Sequence, residues 1–155
     1  MLKQIDQGVK EKLYEYIVAY VDQRITTAQD ALTAARDAAN DDTKSSAGDK
    51  YETTREMMQQ EIERSQGLLK DAEEMRTIVD HLNSHARAGN VCLGSLVLTD
   101  HGHFYLSISA GTIILDEINF YVISSKSPLG KLFLYKSIGD DVLFNGKRYQ
   151  ILGIL

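Results

Sequence analysis

The chain has 155 residues, with 22 acidic against 17 basic side chains, a formal net charge of −5, and a single cysteine. That length holds one ordinary domain, or one extended element with a small globular companion, and the lone Cys92 excludes an internal disulfide. Residues 1–89 carry 17 acids and 12 bases while residues 90–155 carry 5 of each, so all the excess negative charge lies in the first half, against a module that grips DNA or RNA through a basic surface and in favour of a protein partner with a basic groove.

The opening residues, Met-Leu-Lys-Gln-Ile-Asp, lack the apolar run of a secretory leader, and no segment reaches the length needed to span a bilayer. Neither a CxxC pair nor a Cys/His zinc spacing is present. The reading is a reduced, cytoplasmic protein without membrane contact.

From about Ile5 to Asn40, Val9, Leu13, Ile17, Val21, Ile25, Ala28, Leu32, Ala35 and Ala39 recur at steps of three or four, one stripe along a single helix. Beyond Ile25 the stripe turns mostly to Ala, which predicts close approach to a partner helix. The polar, Gly-containing stretch Asn40–Tyr51 then reads as the turn of a helical hairpin, bringing Asp41, Asp42 and Asp49 together at its end. A second helix is predicted from about Asp49 to Ser84, with Tyr51, Thr54, Met58, Ile62, Ser65, Leu69, Ala72, Met75, Val79 and Leu82 as its stripe. Helices of about 35 residues reach on the order of 50 Å, more than a compact domain of this mass needs. Reach is the expected purpose.

The segment Ser84–Asn90 marks the boundary, with Gly89 as a helix C-cap, giving a hairpin over residues 1–89 and a β domain over 90–155. Beyond it the period is two, predicting strands at Val91–Leu98, Phe104–Ser109, Ile113–Leu115, Asn119–Ile123, Asp141–Phe144 and Arg148–Ile154. Asn145-Gly146 signals a type I′ hairpin, and Asp100-His101-Gly102-His103 a second turn. Ser127 and Pro128 fit the N-cap and first position of one short helix. The fold class is α+β: a long antiparallel helical hairpin, then a small antiparallel β domain with one short helix.

Among residues able to carry chemistry, His81 and His85 stand four apart on a helix, a zinc-compatible spacing, yet neither a third ligand nor the glutamate of HExxH accompanies them. His101 and His103 flank a turn glycine. Cys92 sits in an apolar strand pattern and reads as a small buried side chain. Asp49 with Glu52 three residues on fits an N-cap and its reciprocal partner. Asp41 and Asp42 differ, because a helix C-terminus disfavours an anion by about 0.3–1 kcal/mol.

The second half contains Leu93-Gly94-Ser95-Leu96-Val97, Ser127-Pro128-Leu129-Gly130-Lys131 followed by Lys136, and Gly139-Asp140-Asp141-Val142; the first half contains Ala34-Ala35-Arg36-Asp37 and Tyr51 with Arg55-Glu56. These resemble the Gre family, bacterial transcript-cleavage factors that pass a helical hairpin through the secondary channel of RNA polymerase. The resemblance covers most of the chain and implies an FKBP-like β domain. It also implies a non-enzymatic role, in which Asp41 and Asp42, with Asp49, lend oxygens to a weakly held Mg²⁺ shared with the polymerase active site, near the 3′ end of the nascent RNA. On this reading the polymerase supplies the main catalytic centre, the isolated protein is metal-free, and no sequence-specific DNA binding is involved. Lys44, Ser45 and Ser46 would meet phosphate or the polymerase's acidic centre, against the plainer reading of a solvated loop. Phe120, Ser127, Pro128 and Leu129 would dock on the channel rim, against the plainer reading of β-domain core.

The tip departs from the family pattern. Where Gre cleavage factors carry a Gly-Asp-Leu-x-Glu-Asn type of segment, residues 40–49 contain no Glu and place Lys44 near the middle. Two outcomes stay open, cleavage stimulation and inhibition without cleavage. A peptidyl-prolyl isomerase or chaperone on an FKBP-like fold, and a structural coiled-coil adaptor, are the readings from other classes.

Overall fold

A computed structural model describes residues 4–42, 49–82 and 89–155. Among them, α1 (Gln7–Asp42) and α2 (Asp49–His81) are followed by β1 (Leu96–Thr99), β2 (Gly102–Ser107), β3 (Gly111–Leu115), β4 (Ile118–Ser124), α3 (Pro128–Phe133), β5 (Asp141–Phe144) and β6 (Lys147–Ile154), an α+β chain. It forms two compact units, Met1–Val18 with Ile78–Leu155, and Ala19–Thr77. No described helix is long and apolar enough to cross a membrane.

Asp6 starts α1: its carboxylate accepts from the Val9 amide at 3.2 Å and its carbonyl from the Lys10 amide at 3.3 Å, satisfying donors that a first turn leaves open. The sequence stripe is the buried face. Leu13, Ile17, Val21, Ala28, Leu32 and Ala35 of α1 are buried, as are Ser65, Ala72 and Val79 of α2. The other described stripe positions are at least half-buried, while the charged residues between them, Lys10 apart, are mostly exposed. The helices pack against each other, and within residues 19–77 Asp22 pairs with Arg76 across them. The helix α2 ends at His81, short of Ser84, so Gly89 is not its C-cap.

The six strands lie in the order β3-β4-β2-β1-β6-β5. All neighbours are antiparallel except β2 and β4, which run parallel with Phe104 opposite Tyr121 and Leu106 opposite Ile123. That one parallel pair within the expected antiparallel β domain has a reason in burial. Strand β4 carries Phe120 and Val122, both buried, whereas β3 exposes Gly111, Thr112 and Ile114, so the hairpin places β4 inside and β3 at the edge. Strand β1 also starts later than its apolar run, at Leu96 rather than Val91. Gly94 has φ 96° and the Cys92 amide donates to Ser95 Oγ at 2.9 Å, which makes residues 92–95 a turn.

One face of the sheet packs on α3. Val91, Val97, Phe104, Leu106, Phe133, Val142 and Ile151 form that core, with the Phe104 and Phe133 rings 5.1 Å apart. The α3 start is as the sequence predicts: Ser127 Oγ accepts from the Gly130 amide at 3.0 Å and donates to the Ser124 carbonyl at 2.6 Å, with Pro128 at the first helical position. Asn145 (φ 51°) and Gly146 (φ 77°) make the expected I′ turn. A second such turn has no glycine: Asp116 (φ 51°) and Glu117 (φ 68°) join β3 to β4 in the left-handed region.

Two stability outcomes follow. A Cβ on Gly130 would fall on the Ser124 carbonyl oxygen and 2.9 Å from Ser127 Oγ, so Gly130→Ala should lower unfolding free energy by about 3 kcal/mol, against about 1 kcal/mol for Ser127→Ala. Urea titration measures both, and equal losses would contradict the packing account. Glu117→Gly should instead raise stability by about 1 kcal/mol, because it removes the Cβ that strains a left-handed backbone position; a lower midpoint in the same titration would oppose that.

Candidate functional site

The tip reading rests on α1 and α2 ending where the sequence places their junction. The last turn of α1 holds Asp41 and Asp42 and no basic residue, and Asp41 is exposed. An exposed carboxylate thus stands where the helix dipole opposes it. Asp49 is the first described residue of α2, and the residues immediately before it lie outside the described ones. Lys44, Ser45 and Ser46 lie outside the described residues, as does His85. Carboxylate oxygens suit Mg²⁺, but two adjacent aspartates fill only part of the six-oxygen shell that the ion requires. Most of its ligands would have to come from another molecule. No group of three or more potential metal ligands occurs among the described residues.

The four residues read as a docking face separate. Phe120 is 1% exposed, its ring 5.8 Å from that of His103, and its role is packing. Ser127 engages its hydroxyl in the α3 cap, and Leu129 packs against the core. Pro128 alone is open. The apolar side chains that do face water on this part of the chain are Leu132, Tyr135 and Ile138, Tyr135 being 79% exposed. Leu129 and Phe133 are four apart on α3 and turn inward, which sends Leu132 outward; that periodicity was available in the sequence.

The remaining candidates are scattered. His81 is exposed at the end of α2. His101 Nε2 lies 3.8 Å from Asp100, its ring edge-on to Tyr149 at 6.1 Å. His103 Nδ1 is buried with no hydrogen-bond partner among the described residues, and burial lowers the pKa of the ring, favouring the neutral form. Cys92 is half-buried rather than fully buried, with Sγ 3.4 Å from Ser95 Oγ.

A feature absent from the sequence reading lies in the first compact unit. A cavity of about 380 Å³ is lined by Lys10, Glu11, Tyr14 and Glu15 of α1 together with Leu82 and Tyr105. Lys10 is only 6% exposed, and among the described residues its side chain has no hydrogen bond or ion pair. Burial lowers its pKa, with Cys92 acting weakly in the opposite sense. The Tyr105 phenol, 1% exposed, is raised above its ordinary pKa, first by burial and then by Tyr14, and so stays protonated. An ammonium and a phenol donor therefore share this cleft with two exposed carboxylates. Lysines at helical spacing normally read as solvated, and nothing local marks Lys10 as different.

No family profile matches the chain, and no curated protein matches it. Among solved structures, the chain is similar to one described as the transcription factor Gfh1, at 20% identity over 91% of this chain and 92% of that one. The TM-score is 0.34, too low for the likeness to decide fold or function.

Proposed function

We propose that this protein enters the secondary channel of a bacterial RNA polymerase and stimulates cleavage of backtracked transcripts. The observation that carries the reading is Asp41, exposed in the last turn of a 36-residue helix, where the dipole opposes a carboxylate and the turn itself contains no basic residue. Thirty-six residues at about 1.5 Å each extend about 54 Å. Together with the motifs shared with the Gre family, this supports a helix that delivers acid to a distant centre. A bound Mg²⁺ activates water for phosphodiester hydrolysis, and the polymerase holds the main share of it. The part of this chain is to offer Asp41 and Asp42 oxygens at the tip.

A second reading keeps the partner and changes the outcome. The tip contains no Glu between Asn40 and Asp49 and carries Lys44, which supports a factor that occupies the channel and slows synthesis. The test is a backtracked complex of the cognate polymerase with Mg²⁺, to which wild type or Asp41→Ala/Asp42→Ala is added. Wild type should accelerate cleavage, and the double variant should lose at least about tenfold of that gain, about 1.4 kcal/mol of barrier, while still competing for the channel. No acceleration by wild type defeats the cleavage reading; slowed elongation in the same mixture selects the inhibitor.

A further inference from the structure

The cleft beside Lys10 has no part in the reading above. Lys10 is 6% exposed, and holding a lysine charge there costs stability, because partial removal from water penalises it and no hydrogen bond or ion pair among the described residues offsets it. Replacement by any apolar side chain would remove that cost. An occupant that brings an anion to Lys10 would also remove it.

The lining narrows the kind of occupant. Lys10 and Tyr105 are buried and both are donors, since burial keeps the phenol protonated. Glu11 and Glu15 are exposed and four residues apart on α1, so they form one acidic ridge on the same cleft. That ridge repels phosphates and other multiply charged anions. It attracts a cation held at a short distance from the carboxylate that Lys10 would take. Leu82 and the Tyr14 ring supply apolar wall, and about 380 Å³ accommodates a small molecule rather than a macromolecular segment.

We propose that this cleft binds a small apolar zwitterion of amino-acid size, its carboxylate on Lys10 and the Tyr105 hydroxyl and its ammonium on Glu11 and Glu15. Binding would complete an ion pair that the free protein leaves half made. Each end of the ligand has its own pair of residues, so each can be removed separately.

Calorimetry and amide chemical-shift titration on the full chain would use three probes of similar apolar body: leucine, 4-methylpentanoate, which lacks the ammonium, and 3-methylbutylamine, which lacks the carboxylate. Leucine should bind saturably with a dissociation constant of about 1 mM or tighter, at least tenfold ahead of either analogue, with shifts at Lys10 and Tyr105. Lys10→Met, or Lys10→Gln if the first variant folds poorly, should abolish that binding. Glu11→Gln/Glu15→Gln should bring leucine down to the level of 4-methylpentanoate. Absence of saturable leucine binding, unchanged affinity in the folded Lys10 variant, or tighter binding of the amine would each overturn the assignment.

Discussion

A strand buried on both faces must be covered on both faces, and β2 places that demand at the heart of the first compact unit. Phe104 and Leu106 point to the α3 side, where they join Phe133 and Val97. Tyr105, between them, points the other way and is 1% exposed, in the cleft lined by Lys10 and Tyr14 of α1. Neighbouring β1 repeats the pattern, with Leu96 and Val97 both fully buried although they face opposite sides. The opening turns of α1 therefore cover the face of the sheet opposite α3. Residues up to Val18 fall in that unit for this reason.

The same constraint explains why polar groups are sequestered. A layer that closes over β2 encloses whatever its helix presents, and Lys10 lies beside the apolar positions Val9 and Leu13. Its long methylene stem contributes packing while the ammonium stays in the cleft. Farther along α1, in the other unit, the seam needs only one buried face per helix. Small residues such as Ala28, Ala35 and Ala72 suffice there, and the opposite faces are left to charge.

Much of this was legible in the residues. The two stripes followed helical spacing closely, because a two-helix seam is a local, periodic problem that spacing alone specifies. Ser127-Pro128 and Asn145-Gly146 were equally readable, since each encodes its own backbone geometry. The parallel pairing of β2 with β4 was not, because it depends on which of two apolar strands wins the interior position. The Asp116-Glu117 turn was missed because Asp116 signals positive φ only weakly without a glycine after it, and Glu117 does not signal it at all. Lys10 was missed for a related reason: its burial is imposed by a strand ninety-five residues later in the chain, and its own neighbours give no sign of it. At the tip, charge set against dipole singles out Asp41 and Asp42 as candidates, whereas the Gre resemblance put Phe120 on a docking rim and its side chain lies in the core, the plainer of the two readings.

Strand β6 sits between β1 and β5, and the backbones of Leu96 and Leu155 exchange two hydrogen bonds of 2.9 Å. The two helices are complete by His81, so pairs as distant as Asp22 and Arg76 can form before any strand is made, but the sheet joins Val97 to Ile154. During synthesis on the ribosome the hairpin can assemble early, while β1 and β2 wait with an open edge until residues 147–155 emerge. The nascent chain thus passes through an interval in which apolar strand edges are uncovered, and that interval, more than the finished fold, is where a chaperone would have something to hold.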